Sequence, residues 1–108
     1  MVASVLVVED YADLRSAITN TLSRGHYACE AAATAGDAIG RLKEHHYEAI
    51  LLSPTFPLHE DPVMHFLIEN QPGELHKVIL MTDDVTEEFP TLVKPFGNAQ
   101  LFAKLPKA

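Results

Sequence analysis

Three short aliphatic runs, Ser4–Val8 (SVLVV), Ala49–Leu52 (AILL) and 78–81 (VILM), leave this chain few ways to fold. None alternates apolar with polar residues, so each reads as a strand buried on both faces. Strands of that kind belong to parallel sheets covered by helices on either side. Each run also ends abruptly in polar residues: Glu9-Asp10 after the first, Ser53-Pro54 after the second and Thr82 after the third. Proline cannot donate to a strand ladder, so the second run must stop where it does.

Helical periodicity fills the intervals. Leu14, Ile18 and Leu22 recur every four residues with Ala17 beside them, and Gly25 is placed to close that helix. Residues 27–31 read as a short second strand. Ala38, Ile39 and Leu42 mark one face of a second helix that ends near His45-His46. Asp61-Pro62 is a helix start, a side-chain cap followed by proline at the first helical position. Val63, Met64, Phe66 and Leu67 supply that helix's inner face, and Pro72-Gly73 reads as a turn. The pattern then breaks. Residues 83–89 carry four acids and too few apolar positions for a packed helix, so they read as a loop. Leu92-Val93 form a short last strand, and Asn98 is a candidate cap for a final helix with Leu101, Phe102 and Leu105 turned inward.

Strands alternating with helices predict one doubly wound α/β domain over residues 1–108, with right-handed crossovers. Sites in such sheets form beyond the carboxyl ends of the strands. Glu9, Asp10, Ser53, Thr82 and Lys94 all fall at such ends.

Composition narrows the function. With 108 residues, 47% of them hydrophobic, the chain has material for a real core. A formal net charge of −7 argues against nucleic acid as a partner, which needs a positive face. The single cysteine, Cys29, excludes an internal disulfide and fits a reducing cytoplasm, the expected location. No apolar run reaches membrane-spanning length, and Met1-Val2-Ala3-Ser4 lacks the basic flank of a signal peptide. The sequence stops soon after its last helical pattern, so no output domain is expected.

Taken in order, several pieces resemble the receiver domain of bacterial response regulators, the CheY-like family of two-component and phosphorelay signalling. They are VLVVED with the Tyr-Ala-Asp-Leu-Arg helix start, Gly36-Asp37-Ala38-Ile39, AILLS with Pro57 four residues on, VILMT, and Lys94-Pro95-Phe96. The resemblance spans nearly the whole chain and implies a flavodoxin-like sheet of order 2-1-3-4-5. In receivers, two acids after the first strand bind Mg²⁺ and an aspartate after the third accepts a phosphoryl group. A hydroxyl residue after the fourth strand and a lysine before proline contact that group. By position, the resemblance assigns the acid pair to Glu9 and Asp10, the hydroxyl to Thr82 and the lysine to Lys94. The acceptor position holds Ser53.

A carboxylate at that position is both nucleophile and metal ligand, and a neutral hydroxyl is a poor substitute for either. No histidine is recognisably placed to act as its base. Three further departures from the receiver pattern agree. Thr91 stands where receivers carry a switching aromatic, Asp83 follows Thr82 where a small residue is usual, and the Thr82–Lys94 interval is short by roughly a helix. The fourth helix is therefore expected to be shortened or absent.

The expectation is a pseudo-receiver, not an enzyme and without a cofactor, that docks a protein partner independently of phosphorylation. A histidine kinase or another signalling protein is the expected kind of partner, and Leu101 and Phe102 are the candidate contact residues. The competing reading keeps phosphorylation, or residual metal binding through Glu9 and Asp10 with the Thr55 carbonyl. In its bland form, one of those carboxylates pairs with Lys94 and caps the first helix. A ligand sensor using the acidic pocket is a third reading. Asp61 is better explained as a helix cap than as a displaced acceptor, and the histidines, including His59, as solvated surface groups.

Overall fold

Strand β1 (Ser4–Val8) is an interior strand of a parallel sheet, paired on both sides, and shows why its run is apolar throughout. Val5 and Val7 face one layer of the core, while Leu6 and Val8 face the other. The computed structural model of the chain describes residues 3–83 and 88–107. Around β1 stand β2 (Ala28–Ala32), β3 (Ala49–Leu52), β4 (Val78–Thr82) and β5 (Thr91–Val93), in the order β2-β1-β3-β4-β5. Every neighbouring pair is parallel. The expected flavodoxin-like order is the observed one.

Helices α1 (Ala12–Arg24) and α4 (Asn98–Lys104) cover one face of the sheet. There Ile18, Leu22 and Leu101 meet Val5, Val7, Leu51, Met81 and Leu92. Helices α2 (Ala35–Glu44) and α3 (Pro62–Asn70) cover the other, where Leu42, Val63 and Leu67 meet Leu6, Ile50, Leu52 and Leu80. Only residues 83–90 join β4 to β5. Residues 84–87, the centre of the expected acidic loop, lie outside the described residues, and the flanking residues 83 and 88–90 carry no helix.

Local chemistry fixes the boundaries. Asp61 caps α3 as expected, its carboxylate accepting from the Val63 and Met64 N–H groups at 2.9 and 3.1 Å. Thr34 caps α2 by accepting from the Asp37 N–H at 3.1 Å. Four details differ from the sequence reading. The second strand starts one residue later, at Ala28, because Tyr27 turns inward and its hydroxyl donates to the Pro106 carbonyl at 2.5 Å. Pro72-Gly73 opens a 3₁₀ helix, Pro72–Lys77, rather than a simple turn. The cap of α4 is Gly97, not Asn98, with the Gly97 N–H donating to the Gln100 side chain at 2.7 Å. Gly25 closes α1 at an ordinary φ of −83°, and the left-handed residue is its neighbour His26 at φ 67°. Glycine at 25 answers to packing instead, since a Cβ there would sit 2.6 Å from the Phe102 ring.

That contact bears on the expected docking residues. Leu101 is 2% exposed and belongs to the core, and Phe102 is half-buried, stacked on Tyr27 with ring centroids 5.9 Å apart. The apolar stripe of α4 attaches a seven-residue helix to the sheet, so Leu101 offers no free surface, while Phe102 keeps part of its ring exposed. Leu101→Ala is therefore expected to lower stability by about 2 kcal/mol, near the low end for buried leucines because a short terminal helix can settle into the gap. Urea denaturation of the variant checks this; unchanged stability would return Leu101 to the surface.

Candidate functional site

The strands all point their carboxyl ends at one edge of the sheet, and an open cleft of about 780 Å³ lies there. Glu9, Asp10, Ser53, Thr82 and Lys94 all line it, as do Asp61 and Asp83. Strand-end position was the sequence signal for the first five, and the structure brings all five together.

Glu9 is the centre of the arrangement. It follows a strand buried on both faces, and its side chain stays inside at 1% exposure. A carboxylate there needs donors, since an unpaired buried charge is costly. It has three: Lys94 Nζ at 2.8 Å, Ser53 Oγ at 2.5 Å, and the Tyr11 N–H at the start of α1 at 3.2 Å. Lys94 Nζ also donates to Ser53 Oγ at 3.0 Å. Ser53, Glu9 and Lys94 thus close a ring of hydrogen bonds across the ends of β3, β1 and β5.

Burial pushes the Glu9 carboxyl up, but the bonds with Lys94, Ser53, the Tyr11 N–H and the Asp10 side chain outweigh it and hold the group below the ordinary carboxylate value. Glu9 is an anion whose charge is answered internally. Asp10, by contrast, is exposed at the cleft rim. Behind both, the Arg15 guanidinium donates to the Glu9 carbonyl at 2.9 Å and to the Asp10 carbonyl at 3.3 Å, fixing the loop.

Asp61, 4% exposed, has no spare capacity. Besides capping α3, it accepts from the Thr55 N–H at 2.7 Å and the Thr55 hydroxyl at 3.2 Å, which anchors the loop after β3. It is a structural group, not a displaced acceptor. Thr82 is buried at the end of β4. Thr91, the expected switch position, sits in β5 and donates its hydroxyl to the Phe89 carbonyl at 3.0 Å.

Divalent cations such as Mg²⁺ take hard oxygen ligands, usually carboxylates with water or phosphate oxygens. This donor set does not fit one. Lys94 already neutralises Glu9, Ser53 supplies only a hydroxyl bound to that same carboxylate, and Asp10 is the exposed member of the pair, with its side chain beside Glu9. Among the described residues, no three histidine, cysteine or acidic side chains are grouped to hold a metal ion. None of the described helices is long and apolar enough to cross a membrane.

Two features of this edge escaped the sequence reading. Tyr11 and Phe56, directly after cleft-lining Asp10 and Thr55, are 63% and 47% exposed. An aromatic residue immediately beyond a strand-end polar residue was the available signal.

Neither models of known protein families nor curated proteins match this sequence. Solved structures do. The chain is similar to the chemotaxis protein CheY4 of Vibrio cholerae, with a TM-score of 0.79 at 21% identity over 95% of both chains. It is similar to a CheY-like response regulator receiver domain of Methanospirillum hungatei, with a TM-score of 0.79 at 20% identity over 96% of this chain and 90% of that one. It also resembles the receiver domain of the sensor histidine kinase PA1611 of Pseudomonas aeruginosa, solved with magnesium in its active-site cleft. That comparison gives a TM-score of 0.78 at 19% identity, covering 95% and 93% of the two chains. The chain has the fold of the response regulator receiver domains.

Proposed function

We propose that this chain is a pseudo-receiver of two-component or phosphorelay signalling, a protein-interaction module that docks its partner without being phosphorylated. The observation that carries the reading is the closed ring of Glu9, Ser53 and Lys94. A phosphoacceptor at the end of β3 would have to be a free, ionised oxygen next to a metal. Ser53 is instead a neutral donor to a carboxylate, and the lysine that would meet a phosphoryl group is bound to that carboxylate.

A receiver changes state because the phosphoryl group interacts differently with two conformations. With Lys94 already satisfied and Thr91 in place of a swinging aromatic, no such differential exists, and the domain rests in one state. The partner is a signalling protein, a histidine kinase among the candidates. In this reading the domain is not an enzyme and uses no cofactor.

Incubation with magnesium and acetyl phosphate, read by intact mass, tests the proposal. The expected result is an unchanged mass, with magnesium alone causing no saturable shift in the amide spectrum at sub-millimolar concentration. A phosphoryl adduct on Ser53 or a neighbouring acid would overturn it and favour the reading in which the receiver still accepts phosphate.

A further inference from the structure

The cleft edge has two kinds of unused surface. The first is aromatic. Tyr11 and Phe56 directly follow the cleft-lining residues Asp10 and Thr55 in the β1–α1 and β3–α3 loops, the Tyr11 hydroxyl donating to Asp13 at 3.4 Å, and they are the two most exposed large hydrophobic residues among those described. Ile68 and Val93, the next in exposure, lie elsewhere, on α3 and at the end of β5. Solvated aromatic rings at the rim of a concave site are what binding surfaces enrich, because they bury much area for little loss of side-chain freedom.

The second is electrostatic, and it selects the occupant. Asp10 and Asp83 line the cleft and are exposed, and Asp13 in the first turn of α1 and Glu60 at the end of the 3₁₀ helix Leu58–Glu60 are exposed as well. The cations nearby are already engaged: Lys94 with Glu9, and Arg15 with the loop carbonyls. The four exposed acids outnumber these two cations, and the chain as a whole carries −7. Between them the cleft walls are largely apolar, formed by residues such as Leu14, Leu52, Val63 and Phe96.

We propose that this cleft edge is the docking surface, and that it takes a basic segment of a partner protein. An arginine side chain enters the cleft, its guanidinium toward Asp10 and Asp83 and its aliphatic stem against the apolar wall. Neighbouring apolar and cationic residues of the segment lie over Tyr11 and Phe56, where cation–π attraction adds to burial. This rests on the interaction-module reading and names its surface and the chemistry of its partner. The ring beneath supports it, because a Glu9 charge already answered by Lys94 leaves Asp10 as the carboxylate facing the ligand.

The test uses a hexapeptide of alternating leucine and arginine, blocked at both ends, titrated into the isotope-labelled chain. Its glutamate counterpart and an alternating glycine–arginine peptide serve as controls. The expected result is saturable amide shifts confined to residues 10, 11, 55, 56 and 83. Tyr11→Ala with Phe56→Ala should weaken them about tenfold, the loss expected for about 1.4 kcal/mol of aromatic contact. Asp10→Asn should weaken them further, and the glycine–arginine peptide should bind about as poorly as the leucine–arginine peptide binds the aromatic double variant. Shifts centred on Ile68 or Val93, equal binding of both arginine peptides, or no binding would each overturn the proposal. A phosphoryl adduct in the acetyl phosphate experiment, with these shifts intact, would remove the phosphorylation-independent reading and leave the surface standing.

Discussion

Ser53→Asp is expected to turn this chain into a magnesium-binding phosphoacceptor. The substitution places a carboxylate where Ser53 Oγ now stands, 2.5 Å from Glu9 and 3.0 Å from Lys94 Nζ. Without metal, two carboxylates share one ammonium, so one is pushed toward its protonated form and the fold loses about 1–2 kcal/mol. With metal, Asp10, Glu9 and the new aspartate give three carboxylates, the kind of charge count Mg²⁺ sites use. Two unit charges about 4 Å apart near a protein surface attract by about 4 kcal/mol before desolvation. About half of that surviving would tighten magnesium binding more than tenfold. Magnesium should therefore raise the variant's melting temperature and leave the parent's unchanged, and acetyl phosphate should add one phosphoryl group to the variant alone. If the variant ignores both reagents, the residue at position 53 does not decide what the pocket can bind.

Removing the central anion should have the largest effect on stability. Glu9→Gln leaves the Lys94 ammonium without its partner at the floor of the cleft, and losing one member of a buried pair typically costs about 3 kcal/mol. Lys94 keeps 30% side-chain exposure, which lets water recover part of that loss. The pH dependence follows from the direction of the Glu9 shift. An unfolded chain takes up a proton on Glu9 near the ordinary value of about 4.3, whereas the folded chain does so only at lower pH. The stabilisation is thus complete above the ordinary value and is lost as pH falls through the folded one. In urea titrations from neutral pH down to about pH 3, the gap between parent and variant should close at the acid end. A gap that stays constant would mean Glu9 is not the group responsible.

Much of the fold was legible because backbone physics and apolar pattern agreed. SVLVV and AILL have the bounds read from them, since a run buried on both faces leaves no ambiguity about its ends. ACEAA was harder to place. As an edge strand with Glu30 at its centre it carries little apolar signal, and Glu30 is drawn off the sheet to accept from the Tyr47 hydroxyl and to pair with Arg41. The capping error at Asn98 has a similar root: a glutamine three residues on can satisfy a glycine's N–H as well as a side-chain cap satisfies its helix.

The five pocket positions followed from where strands end. Which of them touch did not, because Glu9 and Asp10 are equivalent in sequence and only the inward turn after β1 separates a buried anion from a solvated one. Leu101 was hard to read for a physical reason as well, since its place in an apolar stripe suits a docking face and a core equally, and only its burial decides for the core. One leucine and one phenylalanine on so short a helix, with Leu105 just past its end, are just enough to hold it down.

The ring at the cleft floor joins residues very far apart along the chain: Glu9 to Ser53 across 44 positions, and Glu9 to Lys94 across 85. Contacts of that range form only after most of the intervening chain has been organised, so they come late in assembly. Loosening them should leave the speed of folding almost untouched and show up as faster escape from the native state. The ring is thus expected to act as a latch, and its contribution is how long the finished sheet stays shut.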